Sequence, residues 1–280
     1  MKTAIVTDST AYIPKEVRDK YDIYMIPLTV ILGEEVYEEE VDLGATQFYE
    51  EIKLRELPTT SQPSIGKFVE LFEKLSASYD EVICVHLSSG ISGTFQGAIS
   101  AGEMVEGINV FAFDTESSCM VQGLYAIEAA KLAMEGKNAN EILPVLDELK
   151  ETCKAYFMVD DLSNLQRGGR LSSAQALIGS LLQVKPLLHF ENKVIVPFEK
   201  IRTKKKAMKR IVELLAESTK GEPYQAVIIH ANRETEAEDW KAELEKEFPN
   251  IDFSIGYFGA VIGTHLGEGA MGMGWMRKRT

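Results

Sequence analysis

Cysteine is scarce in this chain: Cys84, Cys119 and Cys153 are the only three in 280 residues. They form no CxxC pair, which excludes a disulfide framework and a thiolate zinc site. The four histidines, His86, His189, His230 and His265, make no HxxxH or HExxH pair, so no metal site is expected. No GxxxxGK[ST] occurs, and kinase or ATPase activity of this chain has no supporting motif. A GxGxxG does occur at Gly267-Glu268-Gly269-Ala270-Met271-Gly272, but only eight residues follow it, too few for a dinucleotide-binding βαβ unit. Basic residues are outnumbered, 30 against 43 acidic, for a net charge of −13. Nucleic acid and anionic membrane both call for a basic surface and are excluded as main partners. No apolar run approaches the roughly 18 residues that span a bilayer. Met1 to Ser9 reads as a buried strand rather than a leader, so a soluble, cytoplasmic protein is expected.

What is present is 45% hydrophobic residues, enough for a substantial core, arranged in alternating strand and helix signals. Strands are expected at Thr3–Val6, Val82–Leu87, Val110–Phe113 and Ala155–Val159. Helices are expected at Pro14–Lys20, Ala45–Leu57, Ile65–Ser78, Thr94–Val105, Val121–Glu135 and Glu141–Thr152. A small extended excursion occupies about 23–44, broken by Pro27 and turning at Gly33-Glu34. The alternation predicts an α/β fold whose N-terminal domain, 1–165, has a mainly parallel sheet with helices on both faces. The pattern then changes, and 166–280 reads as a C-terminal mixed α/β domain. A small-residue helix is expected there at Ser172–Leu182, a hairpin at Leu187–Phe190 and Val194–Phe198, and helices at Thr203–Ser218 and Thr235–Glu247. Strands are expected at Ala226–His230 and Phe253–Tyr257, before a glycine- and methionine-rich end from Gly259 to Trp275.

The most informative segment runs from Glu81 to Phe95. An apolar β-branched run stops at Ser88-Ser89-Gly90-Ile91-Ser92-Gly93-Thr94, and a helix follows. Helix N-termini leave N–H groups unpaired and carry partial positive charge, and glycines and hydroxyls complete a cradle for phosphate or carboxylate. The plainer account is a single serine capping the helix. The loops after Val6 and Phe113 should share a rim with this one, because ligands of parallel sheets sit beyond the carboxyl ends of the strands.

Other candidates lie elsewhere. Thr59-Thr60-Ser61-Gln62-Pro63-Ser64 is a hydroxyl cluster before a helix, of which a cap needs only one. His265 stands among glycines in Gly263-Thr264-His265-Leu266-Gly267, where the backbone can approach a ligand. His86, in an apolar strand, reads as a paired interior histidine. Arg167, Arg170 and Arg202 could hold an anion in fork geometry, with structural arginines beside a Gly-Gly turn as the competing account. The basic block from Arg202 to Arg210 is either a docking patch or a solvated helix face.

Taken in order, Thr7-Asp8-Ser9, Thr60-Ser61-Gln62-Pro63-Ser64, Ser88–Thr94, Arg167-Gly168-Gly169-Arg170, Arg202 and Gly263-Thr264-His265 resemble the DegV-like family of bacterial fatty-acid-binding proteins. The resemblance runs from residue 7 to residue 265. It implies a two-domain α/β fold enclosing a long-chain fatty acid, with Thr60, Ser61, Ser92 and His265 around its carboxylate. It also implies an ATP-binding fatty acid kinase subunit as partner, with Arg170 and Arg202 where that kinase delivers phosphate to give an acyl phosphate. No cofactor is implied beyond the bound fatty acid, and a transient membrane contact fits the same role. Two departures stand out: Leu266-Gly267-Glu268-Gly269 follows the histidine where the family commonly has Thr-Gly-Pro-Gly, and Thr115, Cys119 and Met120 replace small or hydroxyl residues.

A lipid is physically reasonable. About 14 buried methylenes contribute on the order of 11 kcal/mol gross, much of it offset by association and ordering. The tail wall is expected from Ala174–Leu188 and Phe258–Met273. The competing reading is a serine-dependent hydrolase or small-molecule phosphotransferase, with Ser92 as nucleophile and His265 as base. The absence of a GxSxG elbow at Ser92 counts against the hydrolase.

Overall fold

The computed structural model describes residues 1–53, 57–171 and 186–279. The helix expected at Ser172–Leu182, and most of the tail wall expected from Ala174–Leu188, lie outside the described residues.

Three sheets form, and their faces follow from side-chain alternation. A four-stranded parallel sheet has the order Ile23–Ile26, Thr3–Asp8, Glu81–His86, Asn109–Asp114. In Thr3–Asp8, Ala4 and Val6 face one side, packed with Phe68, Phe72 and Ala98 of the helices Ile65–Ser76 and Thr94–Gly102. Ile5 faces the other, toward the helix Cys119–Met134. That helix is apolar nearly all round because it lies between two sheets.

The second sheet is mixed and six-stranded, in the order Val194–Glu199, Leu187–Glu191, Lys154–Met158, Met271–Arg277, Tyr224–His230, Ile251–Tyr257. Alternation again separates its faces. Val227 and Ile229 join the central core shared with the first sheet, while Ala226 and Ile228 pack with Ile211 and Trp240 of the outer helices Lys204–Thr219 and Glu234–Glu247. A third, antiparallel sheet joins Glu35–Glu38, Thr29–Leu32 and Thr59–Ser61. Helices therefore cover both faces of the parallel sheet, as expected, and the extended excursion divides: Ile23–Ile26 is an edge strand of the parallel sheet, and Thr29–Leu32 with Glu35–Glu38 is a hairpin.

Some elements differ from expectation. The helix expected to reach Leu57 ends at Glu51, and Leu57 is exposed coil. The hydroxyl cluster begins as a strand, Thr59–Ser61. The strand Lys154–Met158 pairs with Met271–Arg277 and Leu187–Glu191, so by hydrogen bonding it belongs with the second sheet. The glycine-rich end holds a short helix, Ala260–Leu266, followed by the strand Met271–Arg277.

Candidate functional site

The loops after Glu81–His86 and Asn109–Asp114 meet where the Ser88 N–H donates to the Ser117 carbonyl at 2.8 Å. The Leu87 N–H donates to Asp8 Oδ2 at 3.1 Å, and an interior cavity opens beside them. The cavity encloses about 850 Å³ of empty space, part of it open to solvent. It runs between the carboxyl end of the parallel sheet and the inner face of the mixed sheet. Polar residues stand where it meets the surface: Thr60, Ser61, Gln62, Ser92, Arg170 and His265. Ser61 and Gln62 are exposed, and the other four are half-buried. Its depth is apolar, with Val121, Phe157, Ile229, Phe258 and Met273 all buried on its wall.

Each polar side chain is placed by local structure. Thr60 lies in the strand paired to Thr29–Leu32. His265 lies in the last turn of Ala260–Leu266. Thr60 Oγ1 and His265 Nε2 are 2.9 Å apart. His265 Nδ1 is buried without a hydrogen-bond partner among the described residues. Burial first, then the positive charges of Arg170 and Arg167, push the imidazole pKa down from 6.5 to about 4, so it is neutral at physiological pH. Arg170 is held by its own turn: Nη1 donates to the Gly168 carbonyl at 2.6 Å and Nε to the Ile91 carbonyl at 3.2 Å.

The glycine–serine loop divides its hydroxyls. Ser88 donates to the Lys193 carbonyl at 2.6 Å, and Ser89 donates to Asp114 at 2.5 Å. These bonds tie the loop to the hairpin turn at 192–193, where Lys193 also pairs with Asp114 at 3.0 Å. Gly90 is required by this docking, since a Cβ there would fall 2.3 Å from the Lys193 carbonyl oxygen. Ser92 faces the cavity, 2.9 Å from Thr94 Oγ1, and accepts the Thr94 N–H at 3.3 Å. The N-cap residue is Gly93, with no side-chain cap of its own. Ser64, by contrast, is the N-cap of Ile65–Ser76, its hydroxyl accepting the Lys67 N–H at 3.4 Å.

The other candidates sort differently. Arg202 is exposed just before Lys204–Thr219 and is not among the described residues lining the cavity. Three cations of the basic block that follows are ion-paired: Lys204 with Glu236 at 2.5 Å, Lys209 with Glu213 at 3.8 Å, and Arg210 with Glu199, Glu213 and Glu217. His86 is fully buried, with Nδ1 2.9 Å from Asp8 Oδ2, while Nε2 has no partner among the described residues. The GxGxxG stretch is a helix end and turn. Gly267 and Gly269 have φ of 79° and 89°, and Glu268 accepts from Asn232 and pairs with Lys53 and Arg233. The residues replacing Thr-Gly-Pro-Gly thus leave the imidazole at the cavity.

One buried group was not foreseen. Glu39, inside the excursion, is fully buried and docks the histidine-bearing helix. It accepts the Val261 N–H at 2.6 Å, the Tyr12 hydroxyl at 2.9 Å and the Ser9 hydroxyl at 2.6 Å. Burial outweighs these donors and pushes its pKa from 4.5 up to about 7. The run Glu38-Glu39-Glu40 was the available signal, but nothing in it marks the middle residue as interior.

Chemically, the mouth offers hydroxyl donors, a neutral imidazole and a guanidinium to an anion, above an apolar enclosure. A family model described as "Uncharacterised protein, DegV family" matches residues 2–278. Protein DegV of Bacillus subtilis is 60% identical over 281 residues, covering 99% of this chain and 100% of that protein. The crystal structure of that Bacillus subtilis DegV, described as a fatty acid binding protein, superposes with a TM-score of 0.96 over 99% of this chain and 100% of its own. A fatty acid binding DegV family protein from Streptococcus agalactiae, 35% identical, superposes with a TM-score of 0.92 over the whole of both chains.

Proposed function

This chain belongs to the DegV family, and we propose that it binds a long-chain fatty acid and presents the carboxylate to an ATP-binding kinase subunit, which phosphorylates it to an acyl phosphate. The observation that carries the reading is the cavity's polarity: hydroxyls, His265 and Arg170 at the surface, buried aliphatic and aromatic side chains in the depth. A carboxylate taken from water needs donors, and Thr60, Ser61 and Ser92 supply them. Hydroxyl donors leave the carboxylate oxygen nucleophilic toward phosphate, which a bidentate guanidinium clamp would suppress. Arg170 is engaged with two backbone carbonyls and contributes mainly long-range positive charge. Arg202, which is exposed and outside the cavity lining, is assigned in this reading to the partner rather than to the lipid. The chain acts as a carrier in the cytoplasm, without a cofactor, and takes up its ligand during brief membrane contacts. We take it as two units, 1–165 and 166–280, with the strand Lys154–Met158 paired into the mixed sheet.

A hydrolase is less well supported. Ser92 is bonded to Thr94 and His265 Nε2 to Thr60, and no hydrogen bond joins Ser92 to His265 among the described residues.

Denaturing extraction of purified protein followed by mass spectrometry tests the binding. About one equivalent of fatty acid is expected. An empty protein that also fails to take up added fatty acid would end the reading. Acyl phosphate formed only when protein, kinase subunit and ATP are combined tests the presentation step.

A further inference from the structure

The helix that carries His265 has no side-chain cap of its own. Ala260–Leu266 begins at Gly259, and the N–H groups of Val261 and Ile262 are met by side chains 222 and 250 positions away in the chain. Glu39 Oε1 accepts the Val261 N–H at 2.6 Å. The Tyr12 hydroxyl accepts the Ile262 N–H at 3.3 Å while donating to the same Oε1 at 2.9 Å. The other carboxyl oxygen accepts from Ser9, whose own oxygen accepts the Leu28 N–H at 3.0 Å. Burying a carboxyl is costly unless donors meet it, and here three do. A buried network satisfied in this way fixes one arrangement.

The helix is therefore strung between two points of the excursion and its sheet. Glu39, its backbone N–H bonded to the Leu28 carbonyl at 2.9 Å, holds the first turn. Thr60 meets His265 in the last turn. Little room is left sideways: a Cβ at Gly259 would fall 2.2 Å from the Tyr12 ring, and one at Gly263 would fall 2.6 Å from the Tyr49 hydroxyl. Glu39 is not among the described residues lining the cavity, but Val261, Ile262, His265 and Leu266 are. A seven-residue helix is one stiff piece about 10 Å long, so a shift of its first turn reaches the imidazole.

We infer that Glu39 is a positioning residue of the head-group site: through Ala260–Leu266 it sets where His265 stands, and so how strongly the cavity prefers a carboxylate to a neutral head group. The inference rests on the fatty-acid reading and deepens it. In the tautomer protonated at Nε2, the imidazole donates to Thr60 Oγ1 and the threonine proton turns to the head group. A hydrogen bond to an ionised acceptor is roughly twice as strong as one to a neutral acceptor. Misplacing this pair therefore costs a carboxylate more than an alcohol.

The test uses lipid-free protein at pH 6, where the ligand acid is ionised and Glu39, with its pKa of about 7, is largely neutral and closely mimicked by glutamine. Tetradecanoic acid and tetradecan-1-ol displace a fluorescent fatty acid whose own affinity is first measured for each variant. The readout is the ratio of acid to alcohol affinity. Wild type should favour the acid, and Glu39→Ala should lower the ratio about fivefold or more. Glu39→Gln, which keeps an acceptor for both Val261 and Tyr12, should restore the ratio to within about twofold of wild type. On a His265→Asn background, Glu39→Ala should change the ratio by less than about twofold, because its effect passes through the imidazole. Tyr12→Phe, which removes the hydroxyl joining Glu39 to Ile262, should shift the ratio in the same direction and serves alone if Glu39→Ala does not fold. If these variants lower the melting temperature but leave the ratio unchanged, the inference is overturned and the fatty-acid reading stands. The same follows if Glu39→Gln behaves like Glu39→Ala, or if the loss persists undiminished without His265. Wild type that binds neither ligand overturns both.

Discussion

Thr60 Oγ1 and His265 Nε2 lie 2.9 Å apart, joining residues 205 positions distant at the mouth of the cavity. The contact fixes the imidazole against a strand of the small antiparallel sheet. Thr60→Val keeps the shape and removes the hydroxyl. Fatty-acid affinity should fall about three- to tenfold, the worth of one or two lost hydrogen bonds, with little change in the melting temperature. Combined with His265→Asn, the two losses should be less than additive, because they share one interaction. Full additivity in the double mutant would show that the pair does not act together on the ligand.

Two serines in similar sequence settings should behave oppositely. Ser64 caps Ile65–Ser76, so Ser64→Ala should cost about 1 kcal/mol of stability and leave binding untouched. Ser92 lies one residue before its helix's N-cap and faces the cavity. Ser92→Ala should cost less stability than that, yet weaken binding and slow acyl-phosphate formation with the partner. Chemical denaturation and ligand titration of the two variants side by side decide it. A Ser92→Ala that is unstable but binds normally would return the loop to a purely structural role.

Gly168 is a matter of space. A Cβ at this position would fall 2.2 Å from His265 Nδ1 and 2.9 Å from Cε1. Its backbone φ of −71° is ordinary, so alanine strains nothing locally and acts through the imidazole. Gly168→Ala should displace the ring, break the contact with Thr60 and lower fatty-acid affinity by about tenfold or more, given what a lost pairing at a partly buried site costs. Gly169→Ala, next door, meets nothing within 4 Å but holds φ at +67°, so it should reduce stability rather than binding. Equal effects of the two on affinity would refute the steric account.

Much of this was legible in the sequence where local pattern and chemistry coincide. Apolar runs ending in serine, glycine and aspartate marked the parallel strands and their ligand rim. The glycines around His265 marked the close approach. Thr59–Ser61 was not legible as a strand, because three hydroxyl residues show no alternation and the segment is extended by pairing with distant Thr29–Leu32. Met271–Arg277 was hidden by Gly272 and Gly274, which weaken a strand signal. They are there because a Cβ at 272 would meet Phe157 and one at 274 would meet Val121. The membership of Lys154–Met158 in the second sheet depends on long-range partners that no local window contains. Glu39 stayed hidden because burial of a carboxylate is decided by what folds over it.

Glu39 and His265 should give the protein two opposing pH responses. The folded pKa of His265, about 4, lies below the ordinary 6.5. Between these values the unfolded chain binds the extra proton, so this group's contribution is complete above pH 6.5 and is lost as pH falls toward 4. The folded pKa of Glu39, about 7, lies above the ordinary 4.5. Here the folded chain binds the extra proton, and the contribution is complete below pH 4.5 and is lost as pH rises through 7. For the fully buried Glu39 the swing is roughly 2–3 kcal/mol across that window. Glu39→Gln removes the titration while keeping an acceptor for Val261 N–H and Tyr12. Wild type should therefore be relatively more stable than Glu39→Gln at pH 5 than at pH 8. His265→Asn should show the reverse, with the wild-type advantage smaller at pH 5 than at pH 8. Urea denaturation of the three proteins at both pH values measures each difference directly. A Glu39→Gln difference that is the same at pH 5 and pH 8 would mean that Glu39 does not change protonation between them, and that the donors from Ser9, Tyr12 and Val261 hold it charged throughout.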